Sequence, residues 1–154
     1  MSGNPFSGGM TLSKKYQIGY TTGVYDLFHI GHLNLLRRCK DLCDHLIVGV
    51  TTDELVSYKH KKAVIPFEER IQIVQSIRYV DEVVPQTTMD KMSAWEDLKF
   101  DVMFVGDDWK GTEKWDAFEK KFSELGVDIV YFPYTKGVSS TLLNQVLIRL
   151  RDGV

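Results

Sequence analysis

Apolar residues along the chain switch repeatedly between compact runs and helical spacing. Residues 16–22 predict a first strand. Residues 46–51 form a nearly continuous apolar, β-branched run, the pattern of a strand covered on both faces of a parallel sheet. Between them, residues 32–42 carry Leu35, Leu36, Cys39 and Leu42 at helical spacing, extended by Cys43. Pro66 opens a second helix with the apolar stripe Phe67, Ile71, Val74 and Ile77. Residues 82–85 predict a strand, 90–99 a helix and 101–106 a strand. Residues 114–125 predict a helix stopped by Gly126, and 127–132 a strand stopped by Pro133. A last helix spans 139–150, capped by Ser139 or Ser140. Segment 23–31 reads as a loop, and 52–62 is a polar connection ending in Lys59, His60, Lys61 and Lys62.

Strand and helix thus alternate from residue 16 onward. The expected fold is α/β, a doubly wound parallel sheet with helices on both faces, in one domain over residues 15–154. Residues 1–14 are rich in Gly, Ser and Asn and lack both a charged start and an apolar run, so they read as a disordered leader and not a signal peptide. Doubly wound sheets bind ligands beyond the C-terminal ends of their strands. Polar clusters follow the predicted strands at 22–32, 53–62, 106–110 and 135–141.

Composition narrows the partners. The net charge of −2 argues against a general nucleic-acid binder, and no apolar run is long enough to span a membrane. Cys39 and Cys43 are the only cysteines, and their spacing puts both on one face of the predicted helix. They are a redox pair, half a metal site, or two small buried residues in a reducing compartment. The last reading is favoured, because no second cluster completes a zinc site.

The chemistry concentrates at His29, Gly31 and His32, between the first strand and the first helix. Histidine donates hydrogen bonds near neutral pH, Gly31 allows a close backbone approach, and a helix N-terminus favours anions. Together they make a phosphate site. As a metal site the pair has no third ligand other than Asp26. The chain has no Walker loop, and no G-x-G-x-x-G follows a strand.

Residues 23–32 (Gly23, Val24, Tyr25, Asp26, Leu27, Phe28, His29, Ile30, Gly31, His32) resemble the signature of the cytidylyltransferase-like nucleotidyltransferase family, which has a Rossmann-like form of the doubly wound fold. Segments 51–54, 59–62, 78–85, 106–111 and 137–141 support the resemblance, which covers nearly the whole chain from residue 16. Gly106, Asp107, Asp108 and Trp109 point more narrowly to the glycerol 3-phosphate group of that family.

The resemblance implies a cytoplasmic enzyme that transfers a cytidylyl group from CTP to glycerol 3-phosphate with Mg²⁺. It would release pyrophosphate, and its product CDP-glycerol would feed teichoic-acid-like or capsular polymers. It also implies a homodimer formed through residues 78–84. Catalytic roles fall to His29, His32, Lys59 and Arg78. Nucleotide contacts fall to Gly23, Val24, Tyr25, Asp26, Gly31, Lys61, Gly106, Asp107, Tyr134, Thr135, Gly137, Val138, Ser139, Ser140 and Thr141. Acceptor contacts fall to Lys59, Lys91 and Trp109, with Lys91 near but not in exact register with a family lysine that contacts acceptor. Metal ligands are unassigned. A phosphate monoester is already a nucleophile near neutral pH, so the chemistry needs positioning and charge stabilisation more than a strong base.

Read from the residues alone, several of these positions have a second reading. Lys59 and Lys61 neutralise phosphates or belong to a solvated charge run, to which Lys62 is assigned. Arg78 serves the phosphates or compensates a helix dipole, and Arg70 is a family basic position or half of a structural ion pair. Asp26 orients a histidine, takes part in Mg²⁺ binding or caps the turn. Asp107 and Asp108 read a pyrimidine edge or cap a turn. Ser139, Ser140 and Thr141 hold phosphate, cap the helix, or both. Trp95 and Trp115 are assigned to the core and Trp109 to the site. One stretch departs from the family: Tyr134, Thr135, Lys136 and Gly137 stand where Arg-Thr-Glu-Gly is usual. Either Lys136 restores the charge or nucleotide or acceptor choice differs. Rival functions are transfer to phosphoethanolamine or phosphocholine, adenylyl transfer, or nucleotide binding without turnover.

Overall fold

Alternating side chains on the inner strands serve two separate cores. In β2 (Cys43–Thr51), Leu46, Val48 and Val50 pack on one side of the sheet and Ile47 on the other. In β4 (Val102–Gly106), Val102 and Phe104 join the first core, and Met103 and Val105 the second. The first core includes Leu36 and Cys39 of α1 (Ile30–Leu42) and Val74 of α3 (Phe67–Gln75). The second includes Trp115 and Phe122 of α5 (Glu113–Glu124), with Trp95 and Leu98 of α4 (Lys91–Leu98) packed against it. Burying a large apolar side chain such as Leu36 or Phe104 contributes about 1.5–3 kcal/mol.

The computed structural model describes residues 14–58, 61–133 and 140–152, without the side chains of Asp108 and residues 140–144. The remaining elements are β1 (Tyr16–Gly23), α2 (Asp53–Tyr58), β3 (Glu82–Gln86), β5 (Asp128–Phe132) and α6 (Ser140–Arg151). All strand pairs are parallel, in the order β3-β2-β1-β4-β5. The chain winds outward from β1 through β2 to β3, then returns to lay β4 on the other side of β1. That reversal opens a crevice beyond the C-terminal ends of β1 and β4. The doubly wound, single-domain α/β fold is as expected.

Three local departures have physical causes. The first helix begins at Ile30, two residues early, because His29 and His32 cap it through their own side chains. Cys43 is not on that helix: it is the extended C-cap and first residue of β2, with φ −138° and ψ 153°. Cys39 and Cys43 are both free and buried, and burial pushes both thiols up, Cys43 to about 11. The polar 52–62 connection contains α2, where Thr52 Oγ1 accepts from Leu55 N–H at 3.3 Å and Val56 is buried. Gly126 stops the fifth helix with φ +77°, a conformation that strains any other residue.

Candidate active site

The loop leaving β1 is strained and clamped. Tyr25 and Leu27 have φ of 56° and 52°, and such left-handed non-glycine positions cost on the order of 1–3 kcal/mol each. Asp26 lies between them and holds the turn from outside: Val64 N–H donates to its Oδ2 at 2.8 Å and Ile65 N–H to its Oδ1 at 2.9 Å. Arg70, 1% exposed, ties the same region from below. Its Nε donates to Ile65 O at 2.8 Å, and its Nη1 to Val24 O at 2.7 Å and Thr51 O at 2.8 Å. Its Nη2 meets Asp53 Oδ1 at 2.6 Å. Burial pushes the Asp53 carboxyl up, but Phe67 N–H and Arg70 outweigh that and hold it below the usual range.

The histidine spacing now has a structural reason. His29 is the N-cap of α1 and His32 its third residue. Gly31 N–H donates to His29 Nδ1 at 3.0 Å, and His29 N–H donates to His32 Nδ1 at 3.1 Å, a reciprocal capping box made by two imidazoles. Because each Nδ1 accepts, each neutral ring carries its proton on Nε2. The rings stack with centroids 4.1 Å apart, and Tyr25 and Phe28 pack against His32. Burial holds the His29 pKa below its ordinary value. Burial and then the neighbouring His29 lower that of His32 to about 4, against a smaller upward pull from Asp26. His29 Nε2 is buried with no hydrogen-bond partner among the described residues. A buried donor without an acceptor costs about 1–3 kcal/mol, which an incoming oxygen would offset.

His29 lines a cavity of about 600 Å³ over the β1–β4 crevice. Gly23, Val24, Tyr25, Gly31, Gly106, Lys91 and Trp109, all expected at the site, line it too. Sequence reasoning missed Arg38, Thr51, Gln86, Met89 and Lys114. Pocket-facing helix positions such as Arg38 carry no motif, but Thr51 and Gln86 end strands, and strand ends were the available signal. Thr51 Oγ1 donates to Gln86 Oε1 at 2.6 Å, and Gln86 Nε2 donates to Thr88 O at 3.3 Å. That fixes the start of the loop leading to Met89 and Lys91. Trp115, assigned to the core, is buried there and also reaches the cavity wall; Trp95 stays in the core, its Nε1–H on Phe100 O.

Other expected residues lie elsewhere. Asp26 is off the cavity wall, and its two carboxylate oxygens accept from the amides of Val64 and Ile65, which anchors the turn. Arg70 is the structural ion pair. His32 lies behind His29, outside the lining. Arg78 is exposed beyond α3, before β3 begins, at the opposite end of the strands from the cavity. Its guanidinium lies over the Tyr79 ring, 5.2 Å from the centroid, so within one chain it does not reach the crevice. Lys61 and Asp107 are exposed and outside the lining. Lys59, Tyr134, Thr135, Gly137, Val138 and Ser139 fall outside the described residues, as do the side chains of Ser140 and Thr141.

The charge of the cavity is one-sided. Arg38, Lys91 and Lys114 line it, and among the described residues no carboxylate does. Yet the chain as a whole holds 21 acidic residues against 19 lysines and arginines. Lys114 even occupies the first turn of α5, where the helix dipole disfavours a cation. The cavity is built for an anion.

The comparisons with known proteins agree with this chemistry. Glycerol-3-phosphate cytidylyltransferase of Bacillus subtilis (strain 168) is 40% identical over 131 residues, covering 84% of this chain and 96% of that relative. The Staphylococcus aureus (strain NCTC 8325 / PS 47) enzyme of the same name is 39% identical over 128 residues, covering 82% and 92%. Among solved structures, a lipopolysaccharide core biosynthesis protein from Thermoplasma volcanium GSS1 superposes with a TM-score of 0.66 at 25% identity, covering 80% of this chain and 99% of that one. The family model described as cytidylyltransferase-like matches residues 20–146. With its parallel sheet, its histidine-capped α1 and its cationic cavity, the chain belongs to the cytidylyltransferase-like family and is a nucleotidyltransferase.

Proposed function

We propose that the protein transfers the cytidylyl group of CTP to glycerol 3-phosphate, giving CDP-glycerol and pyrophosphate. The observation that carries the reading is the unpartnered Nε2 of His29 in a cavity lined by three cations and no carboxylate among the described residues. A phosphate oxygen of the acceptor attacks the α-phosphorus of CTP. A new P–O bond forms, the bond to the β-phosphate bridging oxygen breaks, and pyrophosphate leaves with its electron pair. His29 Nε2–H donates to an α-phosphate oxygen, where charge gathers in the transition state. His32 holds the His29 ring through stacking and the capping box. Lys91, together with Lys59, holds the acceptor phosphate, and Trp109 closes the mouth. The 39–40% identical relatives named glycerol-3-phosphate cytidylyltransferase support the choice of acceptor.

The described residues offer Mg²⁺ no cage of their own: no group of three His, Cys, Asp or Glu comes together among them. The reading is therefore that Mg²⁺ arrives on the triphosphate, held mainly by phosphate oxygens. A reaction consuming CTP fits the cytoplasm, and among the described residues no helix is long and apolar enough to cross a membrane. A homodimer through 78–84 remains part of the proposal, because β3 is an edge strand and Ile73 beside it is exposed. Sedimentation at a monomer mass would remove it.

Pyrophosphate release from CTP or ATP, measured across glycerol 3-phosphate, phosphoethanolamine and phosphocholine, tests the reading. Release confined to CTP with glycerol 3-phosphate is expected. Preference for another alcohol phosphate overturns the acceptor, preference for ATP overturns the nucleotide, and CTP binding without release overturns the enzyme.

A further inference from the structure

The two walls of the cavity carry cations for which the reaction has different uses. Lys91 enters from the first turn of α4, beside Thr51, Gln86 and Met89. Arg38 enters from α1 on the other face of the sheet, in line with Gly31 and Leu35 at spacings of four and three residues. That stripe runs along the cavity from the histidine cap to the guanidinium. Seven residues of helix span about 10 Å, and a helical side chain leans back toward the N-terminus. Arg38 therefore reaches toward the same anion as His29, from beyond it.

Three further observations bear on what Arg38 does there. Its guanidinium lies over the Phe132 ring at the end of β5, 4.7 Å from the centroid. Stacking on an aromatic face fixes the plane and leaves the N–H edges to meet a ligand. Among the described residues, no carboxylate lies within ion-pair distance of Arg38. The 134–144 stretch, which follows Pro133 in the chain, contains no Asp or Glu. An arginine on a cavity wall, resting on an aromatic ring and with no carboxylate partner among the described residues, presents a fork for phosphate.

We infer that Arg38 binds the β- and γ-phosphates of the nucleotide and then the departing pyrophosphate, while His29 attends the α-phosphate. This rests on the nucleotidyl-transfer reading and adds a binding residue to it. The bidentate fork neutralises charge that builds on the leaving group as the Pα–O bond breaks.

The test compares wild type with Arg38→Gln and Arg38→Lys for binding of CTP, CMP and inorganic pyrophosphate, with melting temperature recorded beside each. Arg38→Gln is expected to weaken CTP and pyrophosphate by about 10- to 100-fold and to change CMP by less than about twofold. Arg38→Lys, which keeps the charge and loses the flat fork, should fall between. Equal losses for CMP and CTP would mean a base or ribose contact and overturn the inference. So would a variant that only melts earlier, the result expected if Arg38 merely stacks on Phe132. Wild type that binds pyrophosphate but not CTP would sink the cytidylyl reading and leave Arg38 standing. Wild type that binds CTP and pyrophosphate no better than Arg38→Gln does the reverse, and no binding to any probe overturns both.

Discussion

Arg70 and His29 lie at the same end of the same sheet and meet opposite fates. Arg70 gives hydrogen bonds from all three of its nitrogens, to three backbone carbonyls and to Asp53. His29 spends Nδ1 on the helix cap and leaves Nε2 buried without a partner among the described residues. Both are polar groups near the C-terminal ends of the strands. Satisfaction separates them. A polar group whose bonds are all made inside the protein is scaffold, and one left short of a partner in a cavity is waiting for a ligand.

Removing each residue breaks the comparison from a different side. Arg70→Met takes the guanidinium from Asp53, which keeps its bond from Phe67 N–H, and leaves three backbone carbonyls without their side-chain donor, and should cost about 3–5 kcal/mol of stability. Urea titration reads it directly, and a loss below 1 kcal/mol would mean the network is not what holds the strand ends together. His29→Asn is the complementary change. Asparagine is a good N-cap, so α1 keeps its start, but no donor reaches the place of Nε2. Turnover should fall about 10²- to 10³-fold, the usual effect of losing one transition-state donor, with the urea midpoint nearly unchanged. Near-normal turnover would show that the unpartnered nitrogen has no task.

The same contrast explains what the sequence made legible. The elements were readable because β2 and β4 carry continuous apolar runs and α1, α3 and α5 carry stripes, and each pattern reports burial directly. Asp26 and Arg70 could be read either way, since a carboxylate or guanidinium beside a motif looks the same whether its partners are ligand oxygens or backbone groups 39 or 46 residues away. Only the fold decides which. Arg38 was invisible for the converse reason. On α1 it is one of several exposed charged residues, and its position at the cavity depends on Phe132, 94 positions further on and brought near by the β4–β5 pairing. Arg78 shows the limit of motif proximity: a segment can match a family and still lie at the other end of the strands.

Asp26 gives a smaller version of the first test. Asp26→Ala frees the amides of Val64 and Ile65 and releases a turn that holds two left-handed residues. The loss should be about 1.5–3 kcal/mol, because charge-assisted hydrogen bonds are removed while some strain relaxes. If Asp26 is scaffold, turnover per folded molecule stays within a fewfold of wild type. A selective rise in the Mg²⁺ needed for activity would instead return Asp26 to the site.

The smallest effect is set by pH, and it tests the histidines as a pair. Unfolded histidine titrates near 6.5, whereas burial holds His32 at about 4 and keeps His29 below its ordinary value. Between about pH 4 and 6.5 the unfolded chain therefore binds more protons than the folded one. Stability from this source is fully present above pH 6.5 and is lost as pH falls toward 4. His32→Gln keeps an acceptor for His29 N–H, as glutamine does at this position of a capping box, and removes the proton. Between pH 7.5 and 5 its urea midpoint should fall less than that of wild type. CTP should act in the opposite sense, since a bound triphosphate favours charged imidazole. Its stabilising shift should grow as pH falls from 7.5 to 5.5 in wild type and grow less in His32→Gln. Equal slopes with and without the nucleotide would mean that the anion does not sit at the histidine cap, and the contrast with Arg70 would lose its functional half.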